Sequence, residues 1–422
     1  MPRPDRQYSR SPAPSQPVEL TIDKLVPGGD GLARLDGKVY FVPFVLPGEK
    51  VRARIIESKK DFARAVAVEI LEPSPERAVP PCAVFGRCGG CDWQHIDYPA
   101  QLRHKVALAE DALRRIGGVS FPGLAIEGGK PWGYRNRVQI HRRPGGGAGF
   151  LARGSHDLVS VAGCPVAHSA LAPLFAALPE KPGPAGPDGE RRAPQRHPAW
   201  SHPLPDGSGD FVAAQETGWQ SDREIAVPLL GKTIRFDLRC FFQSNLEMTA
   251  RLIPYALEGL AGEEALDLYC GVGLFGAFLA DRFARVLAVE ENPISLGYAQ
   301  RNIGDTHTFL PGRVEDLLSA VRGPLAEANP QAIVVDPPRT GLDKAVCDFL
   351  IAKRPAHLVY VSCNPVTLAR DLKLLLAAGF SLADLRLFDF YPQTAHVEAV
   401  AKLSWGKELP DNHPAQRREM DS

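Results

Sequence analysis

The sequence predicts an α/β protein with a Rossmann-like doubly wound sheet in its C-terminal half, an OB-like β-barrel near its N-terminus and an α+β segment between them. Three observations lead there. From about Val227 to Ser404, apolar strand signals (EALDLYC, RVLAVE, QAIVVDPP, HLVYVSC) alternate with helical patterns (LFGAFLADRF, PISLGYAQRN), as in a parallel sheet covered on both faces. The first of those strands runs into Gly271, Gly273 and Gly276, a G-x-G-x-x-G turn between strand and helix. From Val18 to about Leu71 the chain reads as short alternating strands broken by Gly and Pro, which suits a small barrel.

The 422 residues include 49 basic and 49 acidic side chains and are 44% hydrophobic, which leaves room for two or three cores and excludes a collagen or a fully disordered chain. No apolar stretch approaches the roughly 20 residues that cross a bilayer, and the opening MPRPDRQYSRSPAPSQP has no hydrophobic segment for secretion. A cytoplasmic protein is expected. Through residue 150 there are 23 Lys/Arg against 16 Asp/Glu, a surplus of 7 that the acidic remainder balances. Such asymmetry hints at a polyanionic partner.

In chain order, residues 1–16 form a Pro-, Ser- and Arg-rich tail expected to be disordered. The barrel occupies 17–73. Its basic residues Lys50, Arg52, Arg54, Lys59, Lys60 and Arg64 suit a grip on nucleic acid, and suit a solvated strand edge equally well. The middle segment, 78–226, opens with prolines and cysteines, continues in a helix from about Pro99 to Ile116 and then in the strands YRNRVQIHRR and GFLARGSHDLVSV. Its Pro-, Gly-, Arg- and His-rich stretch from about Pro179 to Gly209 is expected to be a surface loop. The α/β part spans 227–407.

Glycine at the turn lets the backbone approach a bound cofactor closely, and Glu290, nineteen residues after Gly271, ends an apolar strand where a carboxylate can accept from ribose hydroxyls. That much fits a nicotinamide dinucleotide as well as S-adenosylmethionine. Asp267 and Tyr269 flank the turn, and a carboxylate below it suits a cationic amino-acid end better than a pyrophosphate. Asp336-Pro337-Pro338 ends the third strand in a stiff turn. The fourth strand delivers Cys363 to the start of a helix, whose dipole favours thiolate. Further on, PQTAHVEAV holds His396, read as a turn residue, and Glu398.

Cys82, Cys88 and Cys91 form C-x5-C-G-G-C, with Cys164 a plausible fourth ligand; four thiolates suit tetrahedral zinc or a [4Fe-4S] cluster, and spacing discriminates poorly between them. Cys240, Cys270 and Cys347 read as packing residues.

FFQSN, DLYCGVG, DPPR, SCNPVTLARD and PQTAHVE, in that order and with the cysteine set, resemble the RNA uracil-5-methyltransferases over about residues 18–405. The resemblance is strongest to the branch that acts on 23S ribosomal RNA and carries an N-terminal TRAM domain. It implies an S-adenosylmethionine-dependent enzyme with a TRAM-like barrel, a central iron-sulfur domain and a methyltransferase domain. By that resemblance Cys363 is the nucleophile and Glu398 the general base. Gln243, Tyr269, Glu290 and Asp336 bind the cofactor, and Cys82, Cys88, Cys91 and Cys164 hold a [4Fe-4S] cluster. Many members carry Asn where this chain has Leu274, so one polar cofactor contact, worth ~1 kcal/mol, is expected to be missing.

The chemistry accounts for these residue types. Carbon 5 of uracil is a poor nucleophile until a thiolate adds at carbon 6; the proton then left on carbon 5 needs a base, and elimination frees the thiol. A paired uracil exposes neither face, so the target must be unstacked or flipped. The expected partner is structured RNA, 23S rRNA ahead of tRNA, with no DNA or membrane, and the protein is expected to be a monomer. A dinucleotide-dependent oxidoreductase with an iron-sulfur cluster would use the same glycines but leave Cys363 and Glu398 unexplained. A non-catalytic RNA-binding protein is the reading from a different class.

Overall fold

The computed structural model describes residues 17–142, 148–178, 195–203, 209–213, 224–318 and 323–406. The expected N-terminal tail lies outside them. The chain divides into two units, one running to His104 and including Gln393–Ala395, the other comprising Lys105–Pro392 and the residues from His396 onward. The division falls inside the stretch 78–226 that the sequence presents as one segment.

In the first unit, alternation of apolar and polar residues builds five strands, β1 (Val18–Leu25), β2 (Gly31–Leu35), β3 (Lys38–Val42), β4 (Lys50–Ser58) and β5 (Phe62–Glu72), closed as β1-β2-β3-β5-β4. Leu20 and Ile22, Val51 and Ala53, and Ala63 and Ala65 point inward two apart and pack with Tyr40 and Val45 in the barrel core. Most of the basic residues noted in the sequence are matched by acids: Lys50 and Arg52 face Glu19, Lys59 faces Glu57, and Arg64 faces Asp30 and Glu57. A solvated, charge-paired surface is what these contacts describe.

One buried charge ties the barrel to the chain that follows. Glu49 is fully buried and accepts from the Leu46 N–H at 2.9 Å, the Ser74 N–H at 3.1 Å and the Arg77 guanidinium at 2.6 and 2.7 Å. Burial alone raises its pKa, but the hydrogen bonds from Arg77, Leu46 and Ser74 outweigh it and hold the carboxyl below its ordinary value. Beyond it, Trp93 is fully buried and donates Nε1–H to the Gly29 carbonyl at 3.1 Å. The Gln393 carbonyl accepts from the Asp92 and Trp93 N–H groups at 3.0 and 2.9 Å. The Gln101 and Gln393 amides close a reciprocal pair, with Gln101 Nε2 donating at 3.0 Å and the Gln393 N–H at 2.9 Å.

Helix α1 (Tyr98–Ala112) starts at Asp97, whose carboxylate accepts the Ala100 N–H at 2.8 Å. It is followed by β6 (Ala125–Glu127), β7 (Arg137–Arg142), β8 (Ala148–Leu151), β9 (Leu158–Val159), α2 (Ala172–Ala176), β10 (Gln195–Pro203) and β11 (Gly209–Ala213). Five of these strands make a sheet in the order β11-β10-β7-β8-β9. The loop expected from about Pro179 to Gly209 is corrected over 195–203, and 179–194 and 204–208 lie outside the described residues. Residues 195–203 form β10, paired with β7 from Gln195↔Arg142 to Trp200↔Arg137 and with β11 on its other side. Pro198 and Pro203 give this stretch a turn-like composition, and pairing on both edges overrides it.

The hairpin β12 (Glu224–Leu229) and β13 (Lys232–Asp237) leads through α3 (Leu246–Ala256) into the large sheet. Its strands and helices are β14 (Gly262–Leu268), α4 (Leu274–Leu279), β15 (Phe283–Glu290), α5 (Pro293–Ile303), β16 (Thr308–Pro311), α6 (Val314–Leu317), α7 (Pro324–Glu327), β17 (Ala332–Val335), α8 (Lys344–Lys353), β18 (His357–Ser362), α9 (Pro365–Ala377), β19 (Phe380–Phe388) and β20 (Glu398–Trp405). The order is β16-β15-β14-β17-β18-β20-β19-β6. The five strands from β16 to β18 are parallel; the edge strand β16 is partly exposed, while β17, β18 and the C-terminal parts of β14 and β15 are runs of mostly apolar buried residues, as a sheet covered on both faces requires. β20 runs antiparallel between β18 and β19, so the sheet is mixed where the alternation in the sequence suggested a parallel one. Strand order reverses at β14, which places the switch point between β14 and β17.

Replacing Glu49 by Gln removes the carboxylate that satisfies Arg77 and is expected to cost about 3–5 kcal/mol in urea unfolding. Because the folded-state pKa is depressed, the wild-type contribution is complete above the ordinary value of 4.5 and is lost as pH falls through the lower folded value, whereas the Gln variant should lack that acid sensitivity.

Candidate active site

A cavity of about 640 Å³ opens at the carboxyl ends of β14, β15, β17 and β18, and all six side chains singled out for catalysis or cofactor binding line it: Gln243, Tyr269, Glu290, Asp336, Cys363 and Glu398. The topology explains the convergence. Tyr269, Asp336 and Cys363 each follow a parallel strand, Glu290 ends one, and β20 runs the opposite way, so its first residue, Glu398, comes to the same side. Ser362 pairs with Ala399, which sets Cys363 and Glu398 next to each other across neighbouring strands.

The glycine turn is shaped by sterics. Gly273 has φ +81°, and a Cβ there would lie 2.9 Å from Ala299 Cα; a Cβ on Gly276 would lie 2.4 Å from Ile303 Cδ1. Close packing of α4 on α5 thus requires both. Gly276 N–H donates to Asp267 Oδ2 at 2.7 Å and Gly271 N–H to Glu290 Oε2 at 3.0 Å, which fixes the turn between two carboxylates. Glu290 Oε1 also accepts from the Asn292 N–H at 2.8 Å. Tyr269 donates its hydroxyl hydrogen to Glu315 at 2.8 Å. Two buried acceptors, Asp267 Oδ1 and Gln243 Oε1, have no hydrogen-bond partner among the described residues, and an orphaned buried acceptor points to a bound donor. Leu274, the position where a polar contact was expected to be missing, is buried in the cavity wall.

Loss of water dominates the electrostatics. Burial pushes the Asp267 carboxyl up to about 8, with the Asp336 and Glu290 charges adding to the shift and the Gly276 N–H opposing it. It pushes Asp336 up to about 7. Glu398 is raised well above its usual range by burial first and then by Asp336, against Arg339. The Cys363 thiol moves up to about 11, by burial, then Glu398 and Asp336, again opposed by Arg339. The thiolate expected from the helix dipole is therefore not the resting form. Pro365 has no N–H, the Val366 N–H is donated to the Asn364 side chain at 3.1 Å, and two acids face the sulfur. His396 is lowered to about 4 by burial, then by Arg339, Lys105 and Arg135, so it is neutral at physiological pH.

Glu315, Arg313, Arg339 and Tyr391 also line the cavity and were not singled out from the sequence. Arg339 lies inside DPPR and Tyr391 immediately before PQTAHVE, so both had a signal in their neighbours. Glu315 comes from a four-residue helix with no pattern of its own.

The cysteines behave differently. Cys82, Cys88, Cys91 and Cys164 are half-buried, while Cys240, Cys270 and Cys347 are buried as packing residues. Cys82, Cys88 and Cys91 belong to the first unit and Cys164 to the second. Among the described residues, no group of three or more His, Cys, Asp or Glu side chains is gathered to hold a metal ion. Nor, among them, is any helix long and apolar enough to cross a membrane.

Comparison with known proteins adds the following. The family model described as tRNA (Uracil-5-)-methyltransferase matches residues 224–309 and 320–404, and the TRAM domain model matches 15–68. An uncharacterized RNA methyltransferase of Thermosynechococcus vestitus is 34% identical over 92% of this chain and 98% of its own length. The 23S rRNA (uracil(1939)-C(5))-methyltransferase RlmD of Pectobacterium atrosepticum is 32% identical over 94% of this chain and 95% of its own. The crystal structure of Pyrococcus abyssi tRNA (uracil-54, C5)-methyltransferase in complex with S-adenosyl-L-homocysteine superposes with a TM-score of 0.67 at 26% identity, covering 92% of this chain and all of that one. Likeness of this degree along nearly the whole sequence makes the chain a member of the RNA uracil-5-methyltransferases, S-adenosylmethionine-dependent enzymes, with a TRAM domain at its N-terminus.

Proposed function

We propose that the enzyme methylates carbon 5 of one uridine in structured 23S rRNA through a covalent adduct on Cys363. The observation that carries this reading is the juxtaposition of Cys363 and Glu398 at the ends of neighbouring strands within one cavity. The relative named for 23S rRNA, at 32% identity, supports the ribosomal substrate over the tRNA named for the structural neighbour at 26%. The nucleophile's place in a cavity wall supports a uridine everted from its stack, since a paired base could not reach it.

S-adenosylmethionine, when bound, supplies a methyl group on a positively charged sulfur. Gln243, Tyr269, Glu290 and Asp336 would hold it, with Asp267 beneath the turn as a further acceptor. Cys363 loses its proton to solvent and its sulfur bonds to carbon 6, which shifts the double-bond electrons towards carbon 5 and makes it able to take the methyl. Glu398, once ionised, accepts the carbon 5 proton; the carbon–carbon double bond re-forms and the sulfur leaves with its electron pair. Cys82, Cys88, Cys91 and Cys164 would hold a [4Fe-4S] cluster, a reading supported by their thiolate chemistry and by their half-buried positions, unlike the core cysteines. The protein acts as a monomer in the cytoplasm, and its domains run 17–73, 78–226 and 227–407.

Labelled methyl should enter 23S rRNA transcripts and not tRNA; incorporation into tRNA alone would replace the substrate, and none into either would remove the reading. Glu398→Gln should accumulate a covalent RNA adduct, seen as a retarded band on a denaturing gel, while Cys363→Ala should give none. With the thiol at about 11, kcat/KM for RNA should climb steadily from pH 6 to pH 9, because the thiolate fraction grows about tenfold per unit; a flat profile would argue against a thiol that starts protonated. Anaerobically purified protein should be brown with about four irons per chain, and a colourless zinc protein would refute the cluster.

A further inference from the structure

Adding a sulfur at carbon 6 of uracil pushes the double-bond electrons onto carbon 5 and through to the carbonyl oxygen on carbon 4, which becomes an enolate oxygen. Something must stabilise that charge, and the nearby carboxyls Asp336 and Glu398 oppose it when ionised. A hydrogen-bond donor aimed at the oxygen would offset that opposition.

We propose that the Tyr391 hydroxyl donates a hydrogen bond to the carbon 4 oxygen as the enolate forms, which makes Tyr391 a catalytic residue of the reaction proposed above. Tyr391 lines the cavity together with Cys363, Glu398 and Asp336. The phenol feels all three: after burial, the charges of Glu398, Cys363 and Asp336 keep it protonated, against Arg135. It remains a donor at any working pH.

The fold also fixes this side chain with unusual care. The Tyr391 carbonyl accepts from Lys105 Nζ at 3.0 Å, and that ammonium sits on Asp389 Oδ1 at 2.5 Å, both side chains fully buried. The ring packs edge-on against His396, with centroids 6.2 Å apart, and tilted against Phe390 at 6.3 Å. A buried ion pair two residues from the phenol, holding its main chain, is a means of fixing a donor in place. The hydrogen bond forms and breaks with the enolate charge, and no proton is transferred: the electron pair returns to carbon 5 to take the methyl, and the carbonyl is restored.

Tyr391→Phe removes one oxygen and leaves the ring and the Lys105 contact. It should lower kcat by about 10²-fold, leave the Kd for S-adenosylmethionine within about twofold of wild type, and slow formation of the covalent adduct with 5-fluorouridine RNA by a similar factor to kcat. Adduct formation at the wild-type rate would overturn the assignment while leaving the Cys363 mechanism standing. No adduct in wild type would instead reject the mechanism on which it rests. A loss confined to thermal stability, with kcat unchanged, would leave Tyr391 a packing residue and overturn the proposal.

Discussion

Withdrawal of water from ionisable groups at one end of the sheet governs this enzyme. Asp267, Asp336, Glu398 and Cys363 all have their charged forms disfavoured by burial, and each carboxylate that did ionise would make ionisation harder for its neighbours. The resting site is therefore poised in its neutral forms. A positively charged ligand is the natural counterweight to such a cluster, since it repays the desolvation that the fold has imposed. The cofactor assigned by family membership carries that charge before transfer and lacks it afterwards. The same carboxyls that favour its entry thus lose their attraction once the methyl has gone.

Steric constraint places these groups. Gly273 and Gly276 permit α4 to lie against α5, and the Gly276 N–H reaches Asp267. The N-cap asparagines do comparable work at the other strand ends: Asn292 binds the Ile294 and Ser295 N–H groups, and Asn364 the Val366 N–H together with the Arg339 carbonyl. Asn364 joins the loop after β17 to the loop after β18, and so keeps Asp336 and Cys363 in register.

Much of this was legible in the amino-acid sequence because strand-end chemistry is local. An apolar run followed by Gly271, Asp336 or Cys363 announces both the strand and the functional side chain in a few residues, and all six named residues meet in the cavity. The remainder depends on partners far apart in the chain. Glu49 and Arg77 are 28 residues apart and look like ordinary surface charges; Lys105 and Asp389 are 284 apart and carry no sign of burial. The resting protonation of Cys363 was misread because the dipole argument counted the helix terminus and not the two acids facing it. β10 was missed because two prolines masked backbone pairing supplied by neighbours on both sides.

Gln393–Ala395 belong by their contacts to the unit formed by the first 104 residues, although the chain on either side of them belongs to the other. The Asp92 and Trp93 N–H groups and the Gln101 amide all find their acceptors on Gln393. An N-terminal fragment ending at His104 would lack those acceptors, leaving the groups around the buried Trp93 to find water or collapse. Gene fusion or shuffling at that boundary could not transplant the N-terminal unit as a free-standing module. Inheritance of the two units is coupled by three residues encoded far downstream of the first one.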